Sequence, residues 1–108
     1  MNTFKVGPTK YASEGELNLD RYASGRGIAI TVTDPETGES LYRATVMVDL
    51  SPNENCVWLK GWGENEGVPE AFVKAGLGTL TGRTCLTGYT RAREFKLNDE
   101  LIEASNNV

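Results

Sequence analysis

The hydrophobic pattern of this chain alternates along most of its length and is interrupted by one helical stretch, and that interruption lays out the fold. From Glu16 to Tyr22 apolar and polar residues alternate, with Leu17 and Leu19 on one face. Arg26 to Thr33 repeats the alternation, with Ile28, Ile30 and Val32 inward and Ala29, Thr31 and Thr33 outward. Ser40 to Leu50 places Tyr42, Ala44, Val46, Val48 and Leu50 on one face, and Cys56-Val-Trp-Leu-Lys60 reads as a further strand. The period then switches. Val68, Ala71, Phe72 and Ala75 fall at i, i+3, i+4 and i+7 on one helical face, while Glu66, Glu70 and Lys74 line another. Two more strands follow, a short one within Thr81 to Gly88 and a second from Tyr89 to Leu97. The second carries Tyr89, Arg91, Arg93, Phe95 and Leu97 on one side.

The punctuation agrees with these elements. In Asp34-Pro-Glu-Thr-Gly38, Pro35 presets φ, Asp34 can accept from the backbone two residues on, and Gly38 supplies positive φ, so a hairpin is expected. Ser51-Pro-Asn-Glu-Asn55 is the next turn. The helix starts within Asn65-Glu-Gly67, capped by Asn65 or Gly67, with Pro69 tolerated in the first turn and Gly76 or Gly78 closing it. Asn98 caps a last helical turn, with Leu97 stapled to Ile102; residues 105–108 are expected to fray. Residues 1–14 read as a loose arm or short edge strand. The expected architecture is a single α+β domain: an antiparallel, meander-like sheet of about five strands covered on one face by one short helix.

Composition narrows the function classes. At 108 residues the chain makes one domain, and 39% hydrophobic content suits a globular protein despite 24% charged residues. No apolar run approaches the roughly 20 residues that span a bilayer, and the N-terminus lacks a signal-peptide core, so a cytoplasmic protein without a membrane partner is expected. The absence of histidine removes the commonest general acid–base and every Ser-His or Cys-His dyad. Cys56 and Cys85, 29 positions apart among strand-forming neighbours, read as free, semi-buried thiols rather than a redox pair or zinc set, and no cofactor or metal is expected. Carboxylate pairs such as Glu14/Glu16 and Asp34/Glu36 sit in turns or solvated ends, without the apolar pocket that raises one pKa.

Two constellations remain. Glu64, Glu66 and Glu70 gather at the helix entry beside Trp58 and Trp62, and could form an acidic, aromatic-anchored surface for a basic protein. The plain alternative is compensation of the helix dipole by the acids and core packing by the tryptophans. It suits Trp58, whereas Trp62, between Gly61 and Gly63, fits a core or an exposed position equally. Arg83, Arg91, Arg93 and Lys96, interleaved with Tyr89 and Phe95, could track a nucleic-acid backbone while the rings stack on bases. Their plain alternative is a charged edge strand that resists aggregation. A net charge of −4 and a pI near 4.8 weigh against nucleic acid as a main partner.

The order of Tyr22-Ala-Ser-Gly-Arg26, Glu36-Thr-Gly-Glu39, Ala44-Thr-Val, Glu64-Asn-Glu-Gly67, Glu70-Ala-Phe-Val-Lys-Ala-Gly76, Thr81-Gly-Arg83 and Thr87-Gly-Tyr89 resembles a family of small proteins. That family is known mainly as a domain of unknown function carried on bacterial plasmids, conjugative elements and phages, and the resemblance covers residues 20–97. It implies no catalytic residue. It does imply a context, an accessory protein of a mobile element, where small acidic proteins often inhibit host defence as anti-CRISPR or antirestriction factors. The expectation is therefore a non-enzymatic binder of a protein partner, a host defence nuclease complex in the most concrete form. A small nucleic-acid-binding factor using residues 83–96 is the alternative.

Overall fold

A computed structural model describes residues 4–22, 27–48 and 50–108. Four strands, β1 (Lys5–Val6), β2 (Gly15–Arg21), β3 (Ile28–Thr33) and β4 (Ser40–Arg43), form one antiparallel sheet in sequential order. Three more, β5 (Cys56–Leu59), β6 (Gly78–Thr87) and β7 (Thr90–Leu97), form a second with β7 in the middle. Two helices complete the chain, α1 (Val68–Lys74) and α2 (Asp99–Ser105). The α+β class is as the pattern predicts; the single five-strand sheet under a single helix is not. Alternation alone carries Tyr42 to Leu50 as one strand, yet regular pairing ends at Arg43, and Met47 and Leu50 face solvent. The backbone link between the two sheets is narrow. Thr45 bridges Leu59, Lys60 N–H donates to Ala44 O at 2.9 Å, and Val46 N–H donates to Trp58 O at 3.0 Å.

The predicted Asp34–Gly38 turn forms by the expected mechanism. Asp34 Oδ1 accepts from Glu36 N–H at 2.8 Å and Gly38 N–H closes on Asp34 O at 2.7 Å. Of the two caps offered for α1, Gly67 holds the position with φ 88°, and Pro69 sits in the first turn. The helix runs Val68–Lys74, shorter than 66–76, because residues 63–65 turn as a separate 3₁₀ segment. Val68, Pro69 and Phe72 are its buried face; Phe72 meets Phe95 edge-on, with centroids 5.7 Å apart. The core they join contains Ile30, Val32 and Tyr42 from the first sheet and Val57, Leu59 and Leu97 from the second.

Asn98 caps α2 as expected, accepting from Leu101 N–H at 2.8 Å, and the element extends to two turns with Leu101 buried. Beyond it Arg21 donates to Ser105 O and Val108 O, which ties the last residues to β2. Of the region from Thr81 to Gly88, read as a short strand, Thr81 to Thr87 belong to a ten-residue strand and Gly88 lies in the turn after it. Gly78 begins it under a steric demand: a Cβ there would lie 2.0 Å from Lys96 O and 2.8 Å from the Phe95 ring. The outer strands are β5 and β6, not β7, so the arginines of β7 do not guard a sheet edge. No helix among the described residues is long and apolar enough to cross a membrane.

Candidate protein-binding groove

The β6–β7 hairpin closes through a two-residue loop, Gly88-Tyr89, between the paired Thr87 and Thr90. Gly88 takes φ 65° while Tyr89 keeps negative φ, the pattern of a II′ turn, whose twist matches that of the flanking strands. The loop holds the Tyr89 ring fully in solvent at the tip, with Leu86 63% exposed beside it. Arg91 and Arg93 alternate onto this same face of β7, Arg93 reaching α1 and Arg91 reaching β6. Arg93 Nη1 meets Glu70 Oε2 at 2.5 Å, and Arg91 Nη1 reaches Thr84 Oγ1 at 3.3 Å. The opposite wall is the corner after β5, where Trp62 lies half-buried next to Gly61 and Pro69. Together these residues enclose an open groove of about 470 Å³.

The tertiary structure thus merges parts of the two predicted surfaces. Trp62 and Glu70 of the acidic set share one groove with Tyr89, Arg91 and Arg93 of the basic set. The remaining members lie elsewhere. Glu64 lines a shallow recess on the far side of Trp62, with Lys60 and Asn65. Glu66 is met by Lys10 at 3.3 Å. Arg83 and Lys96 belong to the other face of the second sheet, because they flank Glu94 and Cys56 rather than Arg91 and Arg93. Leu86 and Pro69, which the sequence reading passed over, complete the groove; an apolar residue facing solvent two positions before a Gly-aromatic turn was the available signal.

The reverse face holds a polar cluster that the sequence reading missed. Between Leu80 and Thr84 the register shifts, so that Thr81, Gly82 and Arg83 oppose the single residue Glu94. Glu94 is fully buried, and its two oxygens accept four bonds. The donors are Asn53 N–H at 2.9 Å, Asn53 Nδ2 at 3.1 Å, Thr81 Oγ1 at 2.8 Å and Arg83 Nη1 at 2.9 Å. Burial by itself pushes this carboxyl up, but the bonds from Asn53, Thr81 and Arg83 outweigh it and hold the group below its ordinary value. Arg83 also lies 5.3 Å from the centre of the Trp58 ring, whose indole N–H donates to Leu50 O. Thr81-Gly82-Arg83 is therefore a clamp on a buried charge. Asn65, within Glu64-Asn-Glu-Gly67, is likewise structural, donating from Nδ2 to Arg43 O at 2.7 Å.

Chemistry at either face is limited by these pairings. Every donor-facing lone pair of Glu94 used here is already engaged, and neighbouring Cys56 has its thiol pushed up by burial and then by the Glu94 carboxylate. Cys56 is buried, Cys85 is half-exposed, and both are free thiols. An apolar cavity of about 320 Å³ beside Trp58, lined by Ile28, Val46, Val57 and Cys56, has no charged residue among the described ones in its wall. Among the described residues no three His, Cys, Asp or Glu side chains are grouped to hold a metal ion. No family model, no curated protein and no solved structure matches the chain.

Proposed function

We propose that this chain is a non-enzymatic, protein-binding accessory protein of a mobile genetic element, acting as a stoichiometric inhibitor of a bacterial defence system of the anti-CRISPR or antirestriction type. The observation that carries the binding half is the groove. A fully exposed Tyr89 and a half-buried Trp62 line one groove with paired and unpaired charge, the composition at which binding energy concentrates. The mobile-element half rests on the family resemblance of residues 20–97. Nucleic-acid binding has less support, since Arg83 is engaged by Glu94, Arg93 by Glu70, and Lys96 lies on the other face. A single remaining arginine offers too few phosphate contacts for useful affinity.

The test is titration of the protein into DNA cleavage reactions of purified CRISPR and restriction nuclease complexes. Inhibition ending at one copy per complex is expected, with Trp62→Ala and Tyr89→Ala folded but shifted to higher concentration. Normal cleavage by every complex at saturating protein, or unaltered inhibition by both variants, overturns the reading. Sub-micromolar binding to generic DNA at physiological salt would move the assignment to the nucleic-acid factor.

A further inference from the structure

We propose that the groove accepts an extended acidic segment of a protein partner, an apolar or aromatic side chain flanked by carboxylates. This rests on the protein-binding reading and reverses the charge expected of the partner. From the sequence, three glutamates at the helix entry point to a basic partner. Two of the three are already neutralised within the chain, Glu70 by Arg93 and Glu66 by Lys10, and Glu64 faces a separate recess. Inside the groove two guanidinium groups stand against one carboxylate.

Arg91 is the group left over. Among the described residues its guanidinium bonds only the neutral Thr84 hydroxyl at 3.3 Å, and no carboxylate among them forms a salt bridge with it. Two residues along the same strand the chain shows how such a group is satisfied, since Arg93 is capped by the Glu70 carboxylate at 2.5 Å. A ligand carboxylate on Arg91 would complete the row. The apolar wall of Trp62, Pro69, Leu86 and Tyr89 then receives the side chain next to it. A volume of about 470 Å³ lies within the range of clefts that bind compact ligands.

The overall charge of −4 does not oppose such a segment. At physiological salt the Debye length is about 8 Å, so a short acidic stretch senses the groove's own charge more than that of distant surfaces. A nucleic acid differs in this respect. It spreads its phosphates beyond the groove and meets the surrounding acidic surface, with one unpaired arginine to hold it.

The experiment is amide and indole NMR of the ¹⁵N-labelled full chain, titrated with three probes. These are a capped pentapeptide of phenylalanine between aspartate pairs, the same peptide with lysines, and a ten-nucleotide oligothymidylate. The aspartate peptide is expected to move the Trp62 indole and the amides of Leu86, Tyr89 and Arg91. It should bind about two- to fivefold tighter than the lysine peptide, the weight of one exposed ion pair. Arg91→Glu should reverse that order, whereas Lys96→Glu on the opposite face should leave it unchanged. Tighter binding of the lysine peptide at the same resonances overturns this proposal while leaving a protein-binding groove in place. Tighter binding of the oligothymidylate overturns it in favour of nucleic acid. If no probe moves the groove resonances, this proposal and the groove assignment beneath it both fail.

Discussion

Replacing Glu94 by Gln is the sharpest probe of what holds the second sheet to the loop before it. The carboxylate is fully buried and takes four donors, two on each oxygen. A glutamine keeps the shape but offers one oxygen and one NH₂ group. With its oxygen kept towards Asn53 N–H and Arg83, the NH₂ group meets Thr81 and the Asn53 side chain. The Thr81 hydroxyl can rotate and the Asn53 amide can flip, so both accept rather than clash. The net loss is then the charge assistance of three bonds, since only the bond from Arg83 keeps a charged partner. Hydrogen bonds to charged groups contribute about 1.5–3 kcal/mol against roughly 0.5–1.5 for neutral ones, so Glu94→Gln should cost about 3 kcal/mol. Glu94→Ala strips all four donors and should cost about 3–5 kcal/mol. Urea unfolding followed by the fluorescence of Trp58 and Trp62 measures both. An Arg83/Glu94 double-mutant cycle should give coupling above about 1 kcal/mol, whereas the exposed Arg93/Glu70 pair should give less. The folded carboxyl lies below its unfolded value of about 4.3. Its stabilisation is therefore fully present above that value and is lost as pH falls through the lower folded one. The gap between wild type and Glu94→Gln should narrow below about pH 4. A Glu94→Gln cost under about 0.5 kcal/mol, with a gap that ignores pH, would refute the reasoning.

Three further outcomes are expected. Phe72→Ala should cost about 3–5 kcal/mol in the same unfolding assay, because its ring is buried edge-on to Phe95; a cost below about 0.5 kcal/mol would place the ring at the surface. Gly78→Ala should destabilise by about 2 kcal/mol or more, since the new methyl would collide with Lys96 O rather than with a side chain that can move; a neutral result would mean that β6 does not approach β7 there. Of the two thiols, half-exposed Cys85 should react with a thiol reagent before buried Cys56, as mapped by mass spectrometry, and the reverse order would contradict the burial of β5.

Much of the local structure was legible in the sequence because local physics decides it. The Asp34–Gly38 turn, the Asn98 cap, the buried face of α1 and the alternation in β2 and β3 depend on neighbours a few residues away. Gly67 was one of two caps the sequence allowed, and Asn65 lost the role because its side chain is spent on the Arg43 carbonyl, a partner 22 residues distant. Period-2 alternation reports which side chains share a face, but it is silent about which strand lies alongside. It could not show that pairing stops at Arg43, that β5 pairs with β7, or that β7 is central. Glu94 was invisible for the same reason. Its three partner residues come from a turn and a register shift, both far along the chain. The residue types of the groove, its rings and its charges, were set by the sequence. Which of those charges stay unpaired was decided only when the second sheet and α1 brought Glu70 against Arg93 and left Arg91 with the neutral Thr84 hydroxyl in the same groove.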